Sequence, residues 1–134
     1  MEKLVNIEGI GEKYATQLRN AGITDQNELL RQGAHRNERE ALAQKTGISY
    51  KLILKWVNQA DLSRIRGIAE EYAELLEKSG VDTVPELAQR NAEHLHQALQ
   101  AKNEERNLVR RLPGLSDVQR WIEEAKELPR VVQY

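Results

Sequence analysis

The stretch IEGIGEKYATQLRNAG, residues 7–22, decides the fold prediction, because the chain repeats it as IRGIAEEYAELLEKSG at residues 65–80. When residues 7–23 are aligned with 65–81, eight of 17 positions are identical. A second correspondence, offset by 65 rather than 58 residues, pairs Trp56 with Trp121. Repetition at a fixed spacing indicates a duplicated structural unit. The change of offset predicts about seven extra residues in the second copy, within residues 89–111.

Each copy begins with a tight turn in front of a helix. In the first copy Gly9 and Gly11 flank one apolar residue, whereas the second copy has Ala69 in place of the second glycine. Glycine permits positive φ and lets another backbone approach closely. We predict a helix from about residue 12, which Gly22 ends. The methyl group of Ala69 should restrict φ and partly cover the turn's amides, so we expect the two copies to differ in any binding role.

Helix signals also dominate the rest of the chain, and no stretch alternates long enough to predict a strand. The N-cap residues and helices predicted from them are Thr24 before 25–32, Ser49 before 50–60, Asn91 before 92–102 and Ser116 before 117–127. Thr83 and Glu86 have the spacing of a capping box, with Pro85 in the first turn. The sequence therefore predicts an all-α protein of roughly ten short helices, divided near residues 61–64, with an extended segment at 129–134.

The composition sets limits on function. The chain has 134 residues, 40% of them hydrophobic and 31% charged, and no Cys, which excludes disulfides and thiolate metal sites. No apolar run approaches the roughly 18 residues of a membrane helix. The start MEKLVNIEG is too polar for a signal peptide, so we expect a cytoplasmic protein with no membrane partner. The net charge is −1, and residues 1–61 carry nine Lys and Arg against eight Asp and Glu, so any anion binding must come from local patches.

The pattern apolar-x-Gly-apolar-Gly-x-x-x-Ala-x-x-Leu in residues 7–18 resembles the helix-hairpin-helix superfamily. The whole chain also resembles a bacterial family built from two such units and described only as a domain of unknown function. In the superfamily, two motifs pair into a five-helix unit whose hairpin amides hold DNA phosphates without reading sequence. KTGISYKLILKWV at 45–57 and RRLPGLSDVQRWI at 110–122 match the expected partner turns. The resemblance thus implies two tandem five-helix units, residues 1–61 and 62–134.

Candidate phosphate-binding residues follow from these turns, because helix N-termini present unpaired amides and partial positive charge. They are Gly9, Ile10, Gly11 and Lys13, then Gly47, Ile48, Ser49 and Lys51, then Arg110, Arg111, Gly114, Leu115, Ser116 and Arg120. The glycine turn of the first copy can equally be a packing device, since Glu8 and Glu12 would repel a phosphate. Ser49 and Lys51 have no adjacent acid and form the best site of the first half. The acids Glu70 and Glu71 keep the second copy's turn out of the candidate set.

The sequence carries no catalytic arrangement and no cofactor motif. His94 and His96 are two residues apart and do not face each other on a helix, so we expect no metal site. Trp56 and Trp121 lie in apolar stripes and are expected in the core. We expect a non-enzymatic protein that binds double-stranded DNA weakly and without sequence preference. The alternative is an adaptor that uses the same helical units to bind a protein partner.

Overall fold

Eight α-helices make up the computed structural model, which describes residues 4, 7 and 9–134. They are α1 Glu12–Asn20, α2 Gln26–Gln32, α3 Arg36–Thr46, α4 Tyr50–Leu62, α5 Glu70–Lys78, α6 Val84–Ala88, α7 Ala92–Arg106 and α8 Leu115–Glu127. These described residues contain no β-strand, so the all-α prediction is confirmed. They hold fewer helices than the roughly ten that were predicted.

The chain divides into two compact units. The first unit contains Met1–Asp61 together with Val131–Tyr134, and the second contains Leu62–Arg130. The sequence-based division had assigned residues 131–134 to the second unit. They pack with the first unit instead, where the backbone N–H of Gln133 donates to the carbonyl of Ala34 at 2.7 Å.

Each unit has its own hydrophobic core, built from leucine, isoleucine and valine around one tryptophan. Leu18, Ile53 and Trp56 are fully buried in the first core. In the second core Leu76 is fully buried and Trp121 is 2% exposed. The prediction that both tryptophans are core residues is therefore confirmed.

Helix α1 ends as the sequence predicts, with Gly22 one position after the C-cap and a φ of +92°. The N–H of Ile23 donates to the carbonyl of Leu18 at 2.9 Å, the bond that closes a Schellman motif. The N–H of Val81 donates to the carbonyl of Leu76 at the same 2.9 Å distance. Helices α1 and α5 therefore end in the same way, 58 residues apart.

Two of the predicted N-caps are confirmed. The Oγ of Ser49 accepts from the N–H of Leu52 at 3.2 Å, in front of α4. The Oδ1 of Asn91 accepts from the N–H of His94 at 3.0 Å, in front of α7. Helix α7 runs four residues beyond its predicted end, to Arg106, and its C-cap Asn107 has the left-handed conformation. The helix covers most of residues 89–111, the range in which the extra residues were predicted.

Two other predicted caps are wrong, since Asp25 is the N-cap of α2 and Gly114 is the N-cap of α8. Asp25, not Thr24, caps α2, and its Oδ1 accepts from the N–H of Glu28 at 3.0 Å. Helix α8 begins at Leu115, before Ser116, and Asp117 accepts from the N–H of Gly114 at 3.0 Å.

The capping box predicted at Thr83 forms in an altered way. Thr83 is the N-cap of α6, but its hydroxyl donates to the Oε1 of Glu86 at 3.3 Å instead of accepting from the helix. The Oε2 of Glu86 accepts from the N–H of Asp82 at 3.2 Å, one residue before the N-cap. The Glu86 carboxylate thus fixes the backbone before α6, because it accepts from the residue that precedes the N-cap as well as from the N-cap hydroxyl.

Candidate nucleic-acid interface

Four short turns, each directly before a helix, hold the candidate residues. The first turn is residues 9–11 before α1, and the second turn is residues 67–69 before α5. The third turn is residues 47–49 before α4, and the fourth turn is residues 113–114 before α8. Because the first amides of a helix have no intrahelical acceptor, each turn presents N–H groups with partial positive charge.

The two glycines of the first turn have different conformations. Gly9 has a φ of +89°, in the region that favours glycine. Gly11 has φ −87° and ψ −174°, and a Cβ there would meet nothing within 4 Å. Ala69 of the second turn has nearly the same conformation, φ −107° and ψ −166°. The expectation that a methyl group at this position restricts the turn is therefore wrong, because the position is extended in both copies.

Charge at the first turn is mixed. Ile10 is 3% exposed, so only its backbone is available to a ligand. Lys13 is exposed in the first turn of α1. Glu12 is beside it, and its Oε2 lies 3.5 Å from Nη2 of Arg19. Glu8, the other acid expected to repel a phosphate, lies outside the described residues.

A carboxylate lies against the residue that precedes the second turn. The Oε2 of Glu124, on α8, accepts from the N–H of Arg66 at 3.0 Å. A groove of about 540 Å³ lies beside this turn and is lined by Arg66, Gly67, Arg120, Glu123, Glu124 and Glu127. Three glutamates against two arginines make this groove unfavourable for a phosphate. The carboxylate of Glu124 shows, however, that the amide of Arg66, directly before this turn, can hold an anionic oxygen.

The backbone of the third turn makes local hydrogen bonds on both of its sides. Gly47 has a φ of +76°, and its N–H donates to the carbonyl of Ala43 at 3.0 Å. Ile48 is 4% exposed, and its N–H donates to the Oγ1 of Thr46 at 3.2 Å. With the Ser49 hydroxyl capping Leu52, local hydrogen bonds occupy the amides of Gly47, Ile48 and Leu52, and the amides between Ile48 and Leu52 are left over.

Those free amides lie in positive surroundings. Among the described residues, none accepts from the backbone N–H groups of Ser49, Tyr50 and Lys51. Lys51 is exposed, and the first turn of α4 contains no acidic residue. Lys45, in the last turn of α3, is also exposed, and its Nζ lies 3.5 Å from the carbonyl oxygen of Ala21. Among the described residues, the third turn therefore combines unpaired amides with the exposed Lys51 and no acidic residue in the first turn of α4.

The fourth turn carries its own anion. Asp117 accepts from the N–H of Gly114, and its Oδ1 lies 3.4 Å from Nη1 of Arg120. The Asp117 carboxylate thus accepts from a turn amide and also forms an ion pair with Arg120, one of the candidate arginines. Leu115 is half-buried and Ser116 is exposed, at the first two positions of the helix.

Arg110 and Arg111 precede the fourth turn, and both side chains are exposed. The backbone carbonyl of Arg111 accepts from the hydroxyl of Tyr72 at 2.9 Å, which fixes the segment to α5. Nε2 of His96 lies 3.1 Å from the carbonyl oxygen of Pro113. The fourth turn is well anchored, and its free positive charge lies on these two arginines.

One buried cation was missed by the sequence reasoning. Arg39 on α3 is 0% exposed. Its Nη1 donates to the carbonyls of Gly33 at 2.9 Å and Ala34 at 3.0 Å. Its Nε donates to the hydroxyl of Tyr50 at 3.2 Å, at the first residue of α4. The residue that follows the third turn is therefore linked to a buried charge.

Other kinds of site find no support in the described part of the chain. Its His, Asp and Glu residues form no group of three or more that could hold a metal ion. Its helices are all too short or too polar to cross a membrane.

The comparisons with known proteins give one match. The profile of the family described as Domain of unknown function (DUF4332) matches residues 8–128. No curated protein and no solved structure matches the chain. The helix-hairpin-helix assignment stays a prediction, since the family description names no superfamily. Because the match covers most of its length, the chain belongs to the DUF4332 family of domains of unknown function.

Proposed function

We propose that this chain is a non-enzymatic, sequence-tolerant nucleic-acid-binding protein whose main phosphate contact is the third turn. The observation that carries the proposal is the start of α4, where three amides have no acceptor among the described residues and the exposed Lys51 occurs with no acid in the first helical turn. The other three turns each have a carboxylate in or against them, from Glu12, Glu124 and Asp117.

We further propose that the two units are paired helix-hairpin-helix units. The backbone bonds of the first and second turns support this. The N–H of Ile10 donates to the carbonyl of Ile7 at 3.1 Å, and that of Ile68 to the carbonyl of Ile65 at 3.1 Å. In such a unit the third turn would be the partner of the first turn, and the fourth would be the partner of the second.

The chemistry of this contact is simple. A helix N-terminus carries the equivalent of about half a positive charge. Its amides can donate to the phosphate oxygens, while Lys51 supplies a full charge. Contacts of this kind position a backbone and carry no sequence information. Arg110 and Arg111 would give a second, weaker contact in the other unit.

The expected affinity is low. Each phosphate that is neutralised contributes about −0.9 to the slope of log K against log salt. One or two such contacts predict a shallow slope, and a dissociation constant near the weak end of non-specific binding, about 10⁻⁴ M at physiological salt.

Fluorescence anisotropy with a labelled DNA duplex at low salt tests the proposal. Lys51→Glu should weaken binding at least about tenfold, which corresponds to 1.4 kcal/mol. Lys126→Glu is the matched control, because it makes the same change in charge at an exposed site in the last turn of α8. Equal loss in both variants would mean that only net charge matters. Absence of binding by the unaltered chain at low salt would refute the proposal.

The adaptor alternative has less support. An apolar docking face should expose several large hydrophobic side chains together. Among the described residues, Tyr134 is the one large hydrophobic residue that is mostly exposed, at 59%.

A further inference from the structure

The segment Val131–Tyr134, called the strap below, docks on the first unit through backbone and aromatic contacts. The N–H of Gln133 donates to the carbonyl of Ala34 at 2.7 Å, and its carbonyl accepts from Nη2 of Arg39 at 2.7 Å. The Tyr134 hydroxyl donates to the Oδ1 of Asn58 at 3.2 Å. Val132 is 2% exposed and belongs to the first core.

Arg39 joins the strap to the start of α4. Its guanidinium carbon lies 5.9 Å from the ring centroid of Tyr50 and 5.9 Å from that of Tyr134. The same side chain donates to the Tyr50 hydroxyl and to the strap carbonyl of Gln133. One buried cation thus contacts a residue of the strap and the residue between Ser49 and Lys51.

Release of the strap would change the surroundings of this cation. Arg39 would lose one carbonyl acceptor and one aromatic ring, and water would reach its guanidinium. A cation in contact with water interacts less strongly with the groups that remain around it. The contact that holds the Tyr50 hydroxyl would weaken, and with it the fixed position of the α4 N-terminus.

The strap is also the kind of element that opens locally. It has no helical structure, and three residues, 128–130, separate it from the end of α8. Segments with few buried side chains open at lower free energy than the core that they cover. In the strap one side chain, that of Val132, is fully buried among the described residues.

We propose that the strap is a detachable element that orders the third turn through Arg39 and Tyr50. The docked strap holds the α4 amides in the arrangement that accepts a phosphate, and the released strap leaves them less ordered. The binding consequence rests on the proposed function, whereas the ordering of the turn does not. Because coupling between two sites is reciprocal, a phosphate backbone at the third turn would also hold the strap down.

A pair of variants separates strap release from a change of charge. Val132→Glu places a carboxylate at a buried position and should undock the strap. Gln133→Glu adds the same charge one residue away, on an exposed side chain, and retains the backbone atoms that dock. Both are made in the full chain.

Amide hydrogen exchange gives the first readout. The Leu52 amide reports on the third turn through its bond to Ser49, and the Ile23 amide reports on the rest of the first unit. Val132→Glu should speed exchange at Leu52 at least about fivefold, the lower end of typical coupling between sites. Exchange at Ile23 should be unchanged, and Gln133→Glu should leave both amides as they are. Equal Leu52 rates in the two variants would overturn the proposal. Equal acceleration at Leu52 and Ile23 would also overturn it, because the strap would then be part of the fold and not detachable.

Duplex binding gives the second readout. The affinity of Val132→Glu should be at least about fivefold lower than that of Gln133→Glu. Duplex added to the unaltered chain should slow exchange at the Gln133 amide. If the unaltered chain binds no duplex, the proposed function fails, and the exchange data alone decide whether the strap orders the turn. If duplex binds equally to both variants, the coupling is wrong while the proposed function stands.

Discussion

The indole nitrogen of Trp121 lies 3.2 Å from the point at which a Cβ on Gly67 would stand. Trp56 has the same relation to Gly9 in the first unit, at 3.5 Å. Both glycines have a φ of +89°, and both buried indole N–H groups find no hydrogen-bond partner in the part of the chain that the structure describes. The repeated glycine, at an offset of 58, therefore lies beside the repeated tryptophan, at an offset of 65. This holds for Gly9 and Trp56 in the first unit and for Gly67 and Trp121 in the second.

Replacement of Gly67 by Ala should destabilise the protein. The new Cβ would have to accept a positive φ, which costs about 1–3 kcal/mol, and would press against the indole of Trp121. We expect a loss of about 2 kcal/mol in urea unfolding. Gly11→Ala is the matched control, since the same methyl group enters an extended position with nothing within 4 Å. It should change stability by less than about 0.5 kcal/mol. Equal losses in the two variants would mean that positive φ is not the reason for the glycine.

Stability should depend on pH through Asp82. Burial raises the pKa of the Asp82 carboxyl above its ordinary value of 3.8, and the charge of Glu86 raises it further. A raised folded-state pKa means that the folded protein holds this proton more tightly than the unfolded chain. The contribution of Asp82 to the free energy of unfolding is therefore fully present below pH 3.8, and it is lost as the pH rises through the raised pKa.

Asp82→Asn removes this dependence and retains the backbone bond to Glu86. Relative to the unaltered chain, the variant should gain stability as the pH rises from about 3 to about 7. Urea unfolding at several pH values measures the difference. If the stability of Asp82→Asn relative to the unaltered chain is the same at every pH, or is higher at about pH 3 than at about pH 7, the expectation is wrong.

Local signals were enough to predict the helical class and both glycine turns. Gly9 and Gly67 mark the turns, because few other residues accept their φ, and the apolar spacing after them identifies the buried face. The caps predicted at Ser49 and Asn91 are correct, and neither residue has another typical N-cap residue directly beside it. The prediction failed at Thr24, where Asp25 competes for the same helix, since the choice between neighbouring acceptors depends on geometry that the sequence does not contain.

Long-range contacts could not be predicted in this way. Helix α3 has the sequence RNEREALAQKT, and nothing in this polar pattern distinguishes Arg39 from the exposed charged residues beside it. Its burial depends on Gln133, which is 94 positions away. The carboxylate of Glu124 reaches the N–H of Arg66 across 58 positions. The sequence could rank the third turn above the others by its neighbouring charges, but only the structure shows that Glu124 contacts the residue before the second turn and that Arg39 contacts the start of α4.

Arg39→Lys should destabilise the first unit. A lysine ammonium cannot reproduce the planar fork that reaches the carbonyls of Gly33, Ala34 and Gln133 together. Buried hydrogen bonds to a charged group contribute about 1.5–3 kcal/mol, so a loss of about 3 kcal/mol in urea unfolding is expected. Arg36→Lys, three residues earlier on the same helix, is exposed and paired with Glu40, and should cost less than about 0.5 kcal/mol. A small effect at both positions would show that the guanidinium contacts contribute little.

The sharpest separation of folding from binding comes from Ser49→Asp. Aspartate caps a helix about as well as serine, and its charge at the N-terminus of α4 should add about 0.3–1 kcal/mol of stability. The same charge lies where a phosphate would bind, so duplex affinity should fall about tenfold, or 1.4 kcal/mol.

Asn91→Asp provides the control for that variant, because it adds the same charge at the N-cap of α7, a helix outside the candidate turns. It should also be stabilising, and its duplex affinity should stay within about twofold of the unaltered chain at moderate salt, where distant charges are screened. Retained affinity in Ser49→Asp would exclude the third turn as the phosphate contact, since the variant keeps the helix folded and removes only its capacity to accept an anion. A variant that is more stable and yet binds less can be explained by an anion site at this helix terminus, and not by damage to the fold.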